Sequence, residues 1–483
     1  MTGKPVTPGP VPGMPPAPDP GDRPLGNEAG DPRPAAGQKE SVAAGNVAGG
    51  PHSAEDPLMG AGGGPATTEA LYEPPPDSPD LFAKAQAFLP RLQAVQDAGG
   101  YFYRRVLTTA CGNRVRVRDP QTGAEREMIL FASNSYLGLA THPRVVEAAR
   151  RAAATHGYGS GSVALMSGTS DLHLELEARI ARFYRCEAAC LFPSGYHANV
   201  GTIQALLGPR DVALADLYAH ASIIDGVQLS EGTLKYFPHN DPEALEALLR
   251  KAGKHFLGRL IVTDGVFSMD GDLAPLDRLA ALAGRHGARL LIDEAHALGI
   301  VGPTGRGTAE VFGLEGKIDL TIGTLSKAPA GLGGYLTGRR EVVEYVRHFA
   351  RSYIFSTSLP APTVAGLIEV FRLLEEDPAP RQALQANTAY LLDGLHRLGF
   401  DTLGSTTAII PVLIPDEHKL RLACRELHER GLYVTPVTFP AVARGRARLR
   451  LSLSSTHTRA DLDLLLSVLE DLKGKLHLDG PSP

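Results

Sequence analysis

Between about residues 140 and 350, short apolar runs alternate with stretches of helical periodicity, and this alternation constrains the fold more than any other feature of the chain. Leu172, Leu176, Ile180 and Phe183 recur at the spacing of one helical face, and ACLF follows as a run short enough for a buried strand. VALA, LIVT, RLLI and LTI repeat the pattern, each ending near a polar or glycine-rich turn. Strands read this way when helices cross back over a parallel sheet and bury both of its faces. An open α/β sheet is therefore predicted. Ligands of such sheets collect at the carboxyl ends of the strands, so the residues just after the apolar runs are the first place to look for chemistry.

Outside that region the pattern changes. From Met1 to about Pro76 the chain is Pro, Gly and Ala with hardly a large apolar side chain, too little to offset the entropy cost of ordering, and 1–76 is expected to be a disordered tail. Residues 77–130 read as an N-terminal arm, with scattered aromatics and the turn-like DPQTG, leading into a strand at MILFA. The large domain is expected over 131–358. After SLPAP come two long helical segments, a strand at AIIPVLI, another helix, and strands at LYVTP and ARLRLSL, which together predict a smaller α+β domain over 359–476.

Charge and composition exclude several classes of function. Lys plus Arg (48) against Asp plus Glu (53) leaves a formal charge of -5, with no basic excess to neutralise a nucleic-acid backbone. No apolar run is long enough to span a bilayer, and MTGKPVTPGPVPGMPP lacks the apolar core of a signal peptide, so a cytoplasmic protein without an integral membrane segment is expected. The four cysteines are too scattered for a disulfide framework, and they read as free thiols, most of them buried.

Asp293 follows the strand RLLI and opens Asp-Glu-Ala-His. A helicase reading needs a GxxxxGK[ST] phosphate loop, which is absent, since Gly316-Lys317 is followed by Ile318. A metal reading of Asp293, Glu294 and His296 lacks a second ligand cluster, and no metal is expected. Four segments taken together point elsewhere. An apolar strand leads into Thr324-Leu-Ser-Lys327, followed by Gly331, Gly333 and Gly334, where a desolvated lysine becomes a nucleophilic amine that a cofactor can approach closely. Ser194-Gly195-Tyr196 lies between the strand ACLFP and a helical stretch, so its amides sit at a positive helix end suited to phosphate. His220 in Ala-His-Ala-Ser is placed to stack on an aromatic ring. Each feature alone has an ordinary alternative: a solvated lysine, a simple strand-to-helix turn, a structural histidine.

The segments NSYLGL, PSGYHAN, AHASIIDG, TDGVFSMDGD, DEAHALGIVGPTGRG, GTLSKAPAGLGGY, YIFSTSLP and ARLRLSLSSTHT, in this order and spacing, resemble the α-oxoamine synthase family of pyridoxal 5'-phosphate (PLP) enzymes. The resemblance runs from about Asn134 to His457. It implies the fold-type I architecture of the aspartate aminotransferase class, a large mostly parallel sheet domain with a smaller C-terminal α+β domain, and PLP as cofactor. It further implies that Lys327 carries PLP and moves protons at the substrate α-carbon, that Asp293 pairs with the pyridine nitrogen, that His296 bonds the ring 3-oxygen, and that His220 stacks over the ring. Gly195 and Tyr196 would hold the phosphate through their amides with help from Thr324, and Ser268 would lie beneath the cofactor. Arg450, with Asn134, would clamp the amino-acid carboxylate. Ser356 and Thr357 would reach the phosphate of a neighbouring subunit, which makes a homodimer with shared active sites.

Two positions depart from the family pattern. Ala164 stands where many glycine- and serine-using relatives have an arginine, and Pro329 replaces a small or aliphatic residue and removes a backbone N–H. The implied reaction joins a small amino acid (glycine, alanine or serine) to an acyl thioester of coenzyme A or an acyl carrier protein, with decarboxylation. Serine palmitoyltransferase-like, 2-amino-3-ketobutyrate ligase-like and 8-amino-7-oxononanoate synthase-like activities stay open, and 5-aminolevulinate synthase fits least well. An aminotransferase or lyase of the same fold is the alternative within the class, and a non-catalytic scaffold the alternative outside it.

Overall fold

In a computed structural model of the chain, the structure describes residues 71–73, 76–119 and 122–478. The chain divides into Met1–Glu55, which lies outside the described residues, and Asp56–Pro483. The expected tail over 1–76 thus lies outside the described residues except at 71–73 and 76.

After a helix at Ala83–Asp97, the strands β1 (Val106–Leu107), β2 (Arg114–Arg118) and β3 (Glu125–Leu130) form an antiparallel ribbon. The arm expected over 77–130 is this helix and ribbon. Alternation in RVRVR turns Val115 and Val117 inward and leaves the arginines outside.

The central sheet holds β4 (Ala188–Phe192), β5 (Asp211–Asp216), β6 (Thr233–Phe237), β7 (Gly258–Asp264), β8 (Arg289–Asp293), β9 (Leu320–Thr324) and β10 (Gly334–Gly338), in the order β4-β10-β9-β8-β7-β5-β6. β5 to β9 are parallel to their sheet neighbours in that set, and β10 runs antiparallel to both β4 and β9. β10 was hidden in the sequence because GLGGYLTG reads as loop. Its glycines instead allow a close approach, since a Cβ on Gly334 would lie 2.3 Å from the Ser194 carbonyl. Helices cover both faces. One cluster packs Ile203, Ile223 and Val346 against Val262 and Leu291, and the other packs Leu245, Leu249 and Leu279 against Ile261 and Ile292. The predicted helical face at 171–183 is real, with Leu176, Ile180 and Phe183 buried and Leu172 partly so.

Beyond Pro360, helices at Ala361–Glu376, Ala379–Arg397, Glu417–Glu429 and Arg459–Leu476 accompany β11 (Ile409–Leu413), β12 (Leu432–Tyr433), β13 (Thr435–Val437) and β14 (Arg448–Ser452). β14 lies between β11 and β13 in an antiparallel sheet, while β12 pairs in parallel with β3 of the arm. The helix at 361–376 packs on those at 143–156 and 171–183, and apolar side chains from both halves share one core. Among the described residues no helix is long and apolar enough to cross a membrane. Two of the four free cysteines, Cys190 and Cys424, are buried, whereas Cys111 and Cys186 are only partly so, one buried thiol short of the majority expected. The partly covered pair lie in the connections that lead into β2 and β4.

One polar clamp ties the sheet to the turn after β7, where Val266 and Leu273 pair across a hairpin. His239 bonds Asp216 at 3.0 Å through Nδ1 and Asp272 at 2.9 Å through Nε2, with Tyr218 stacked on its face and Phe267 at its edge. Burial works against the charge, but the two carboxylates outweigh it and raise the imidazole to about 9. A base raised in the folded state contributes stability that is complete below its unfolded pKa and is lost as pH climbs through the folded one. Chemical denaturation between pH 6.5 and 9.5 should therefore show wild type losing on the order of 3 kcal/mol relative to His239→Gln. Parallel pH profiles for the two proteins would remove the clamp from the stability account.

Candidate active site

The carboxyl ends of β5, β7, β8 and β9 bring the candidate residues together. Thr324 is the last residue of β9, so the chain leaves the sheet there and Lys327 follows on a turn closed by Ala330 N–H to the Lys327 carbonyl at 2.9 Å. Pro329 is buried within that turn. The Lys327 ammonium has no hydrogen bond or ion pair among the described residues. Burial pulls its pKa down to about 8, against the attraction of Asp293 and Asp264 and with the help of Arg450. That places a fraction of the amine in its neutral, nucleophilic form near neutral pH.

Asp293 ends β8 and lies across from Asp264, the end of β7, in the parallel register. Its Oδ2 accepts from Asn199 Nδ2 at 2.6 Å and its Oδ1 from the Ala295 amide at 2.9 Å. Asp264 is buried, accepts the His220 amide at 3.2 Å, and is pushed well above the usual carboxylate range by burial and then by Asp293. His220 caps the helix Ala221–Gln228, with Nδ1 2.7 Å from Ser222 Oγ in a part-buried bond, and the residue keeps an exposed side. His296 is buried, and its Nδ1 lies 2.8 Å from the Tyr136 hydroxyl. Burial, then the positive Lys327 and Arg450, hold its pKa well below the usual imidazole value, so the ring is neutral. Burial likewise pushes Tyr136 up to about 12.

On the other side of the group, Arg450 projects from β14. Both of its terminal nitrogens are 3.3 Å from Asn134 Oδ1, Nη1 reaches Ser452 Oγ at 2.9 Å, and Nε donates to the Ser268 carbonyl at 2.6 Å. The Tyr136 hydroxyl is 3.2 Å from the same Asn134 oxygen. Asn134, Tyr136, His296, Ser268 and Arg450 therefore form one connected network.

Ser194 caps the helix Gly195–Leu206 by accepting the His197 amide. The amides of Gly195 and Tyr196 open that helix without an acceptor among the described residues, as the first N–H groups of a helix do. Glycine is needed at 195 because a Cβ there would press on Thr324 at 3.0 Å, and Thr324 is itself held by bonds to Ser326 Oγ (2.7 Å) and the Gly333 carbonyl (3.1 Å). The Tyr196 hydroxyl bonds Asp225. Ser356 and Thr357 stand apart from the Lys327 group: they line a small recess with Ala164, Phe192 and Pro193, and Thr357 pairs with Val163. Ala164 opens the π-helical turn Ala164–Gly168.

Three residues of this arrangement escaped the sequence reading. Asn199 was visible as one of several polar residues in the helix GYHANVGTIQAL, Tyr136 inside NSYLGL, and Asp264 as the last residue of the strand that ends LIVTD. PLP fits the residues present. A partnerless amine, two free helix-end amides over a glycine-lined turn, an exposed imidazole face and a buried carboxylate answer its aldehyde, phosphate, ring face and pyridine nitrogen.

Fold and pocket define a PLP-dependent transferase of fold type I, and the sequence profile of the aminotransferase class I and II family matches residues 126–469. The chain is 45% identical over 392 residues to 8-amino-7-oxononanoate synthase of Geobacter sulfurreducens, covering 80% of this chain and 98% of that protein. It is 42% identical over 393 residues to 4-hydroxy-2,2'-bipyrrole-5-methanol synthase PigH of Serratia sp., covering 81% of this chain but only 60% of that relative's length. The solved serine palmitoyltransferase of Sphingomonas wittichii superposes with a TM-score of 0.78 at 32% identity, over 83% of this chain and 99% of that one. The chain belongs to the α-oxoamine synthase family, and its cofactor is PLP.

Proposed function

We propose that the chain condenses a small amino acid with an acyl thioester to give an α-amino ketone. A carbon–carbon bond forms between the α-carbon and the acyl carbonyl, the thiol leaves, and the amino-acid carboxylate departs as carbon dioxide. The observation that carries the reading is the placing of Lys327, its pKa drawn down by burial and its amine without a hydrogen bond or ion pair among the described residues, near Arg450 of the Arg450–Asn134 network. PLP, when bound, supplies the electron sink that stabilises negative charge at the α-carbon.

The side chains divide the remaining work. Lys327 Nζ would hold the cofactor aldehyde at rest and, once displaced, would take the proton from the α-carbon. Asp293, fixed by Asn199, keeps a proton on the pyridine nitrogen by charge attraction. With Nδ1 bonded to the Tyr136 hydroxyl, the neutral His296 has Nε2 left to meet the ring 3-oxygen. Gly195 and Tyr196 amides would hold the phosphate, with Thr324 setting the turn, and Ser268 would support the ring. His220 covers the ring face. The Arg450 fork takes the amino-acid carboxylate in two-point fashion, and Asn134 steadies the fork.

The amino acid and the donor are read by assay. Glycine, alanine and serine are each offered with short and long acyl thioesters of coenzyme A and of acyl carrier protein, and released thiol is followed. One amino acid should release thiol only in the presence of its acyl partner. Amine transfer to an oxo acid with no thiol released would instead place the chain among the aminotransferases.

We also read the working form as a homodimer with shared sites. Tyr158, Met166 and Phe355 expose 94%, 80% and 72% of their surface, and Met166 and Phe355 lie within three residues of the paired Val163 and Thr357, where a second subunit would cover them. Ser356 and Thr357 would then reach the partner's phosphate. Mixing Lys327→Ala subunits with subunits in which Ser356 and Thr357 are both Ala should yield activity above either parent, since one site of each mixed dimer carries neither defect. No recovery after proven subunit exchange would mean that these hydroxyls serve their own chain.

A further inference from the structure

Arg450 is a long, flexible side chain asked to present a fork in one orientation, and its most direct restraint is not a side chain. Its Nε donates at 2.6 Å to the carbonyl of Ser268, at the tip of the hairpin that Val266 and Leu273 close. Where that carbonyl stands decides where the fork points. The hairpin itself is fastened from three directions.

From β14, the alternation in RLRLS sends Leu449 and Leu451 into the core and Arg448 and Arg450 to the opposite face, two residues apart. Arg448 is almost fully buried. Its Nη1 bonds the Met269 carbonyl at 3.1 Å and Asp270 Oδ1 at 2.8 Å, and its Nε bonds the Arg446 carbonyl at 2.9 Å. From the turn before β11, Thr407 Oγ1 donates to the Gly271 carbonyl at 2.9 Å, and Ser405 Oγ, which donates to the Ile409 carbonyl at 2.5 Å, lies 3.3 Å from it. Gly271 has φ +72, and a Cβ there would lie 2.0 Å from the Ile409 carbonyl, so the hairpin tip sits hard against that turn. From the central sheet, Asp272 is held by His239 at 2.9 Å and by Asn240 Nδ2 at 2.8 Å. A buried ion pair is weak evidence for stability, because desolvating both charges offsets much of their attraction. Its value is geometric, since breaking it leaves one charge uncompensated and moves the groups around it.

We propose that the Val266–Leu273 hairpin is the mount that orients Arg450, with Arg448, Asp270 and Asp272 as positioning residues that set amino-acid affinity without touching the amino acid. The inference rests on the reading of Arg450 as the carboxylate clamp. Glycine, alanine and serine would all depend on the mount, because they share the carboxylate.

The test uses the PLP-loaded enzyme and compares Asp270→Asn, Asp272→Asn, Arg448→Met and Arg448→Lys with Arg450→Lys. Dissociation constants for L-alanine and for ethylamine, its analogue without a carboxylate, are read from the change in cofactor absorbance. Asp270→Asn and Arg448→Met should weaken L-alanine by at least ~10-fold, since the strong charge-assisted bonds of a guanidinium fork to a carboxylate fall away steeply with misalignment. Ethylamine affinity, cofactor retention and kcat at saturating amino acid should stay near wild type. Arg448→Lys, which keeps the charge, should recover part of the loss. Should Arg448→Met fail to fold, the near-isosteric Asp270→Asn and Asp272→Asn carry the comparison. Unchanged L-alanine affinity in the aspartate variants, alongside a loss in Arg450→Lys, would overturn the mount while leaving the clamp intact. Equal losses for L-alanine and ethylamine would overturn it as well, by showing general damage. No loss in Arg450→Lys would instead remove the clamp itself.

Discussion

Lys327→Ala should give a folded protein without the visible absorption of lysine-bound PLP and with turnover reduced at least ~10³-fold, because the same amine anchors the cofactor and moves the α-proton. The fold should survive, since the ammonium makes no hydrogen bond or ion pair among the described residues. Removing it leaves no partner orphaned, and burial already disfavours its charge. Absorbance of the purified variant, thermal melting and single-turnover kinetics check the three parts separately. A protein that stays yellow would show that another lysine carries the cofactor.

Asp293→Asn should retain PLP and lose turnover by roughly 10²- to 10³-fold, the range seen when one preorganised electrostatic partner of a transition state is removed. An amide has nearly the shape of the carboxylate but no charge to hold a proton on the pyridine nitrogen. It also disturbs the support behind it, because an amide keeps only one acceptor oxygen and either Asn199 Nδ2 or the Ala295 amide would lose its acceptor. Cofactor content and kcat, measured on the same preparation, separate binding from chemistry. Turnover near that of wild type with full cofactor would take Asp293 out of the reaction.

Much of the architecture could be read from the chain because it rests on periodicity. LLI in β8 and LIV in β7 are unbroken apolar runs, as strands covered by helices on both faces must have, and their ends point to Asp293 and to the run-up to Ser268. β10 could not be read that way. Its glycines serve close backbone packing against Ser194, a requirement that leaves no apolar signature. The site divides along the same line. Lys327, Asp293, His220 and His296 follow strand ends in motifs, whereas Asn199, Tyr136 and Asp264 matter through contacts with residues up to 160 positions away in sequence. Arg448 and Asp270, 178 residues apart, illustrate the limit: in sequence Arg448 is one more arginine on a strand, and only the folded chain shows it buried against an aspartate.

The reaction itself is tested most directly with an amino acid labelled in its carboxyl carbon. Labelled carbon dioxide and free thiol are measured together, with wild type and Lys327→Ala side by side. The account predicts one labelled carbon dioxide per thiol, dependent on both the amino acid and the acyl thioester and absent from the lysine variant. Thiol released with the label retained in the product, or labelled carbon dioxide released at the same rate without any thioester, would contradict a decarboxylating condensation.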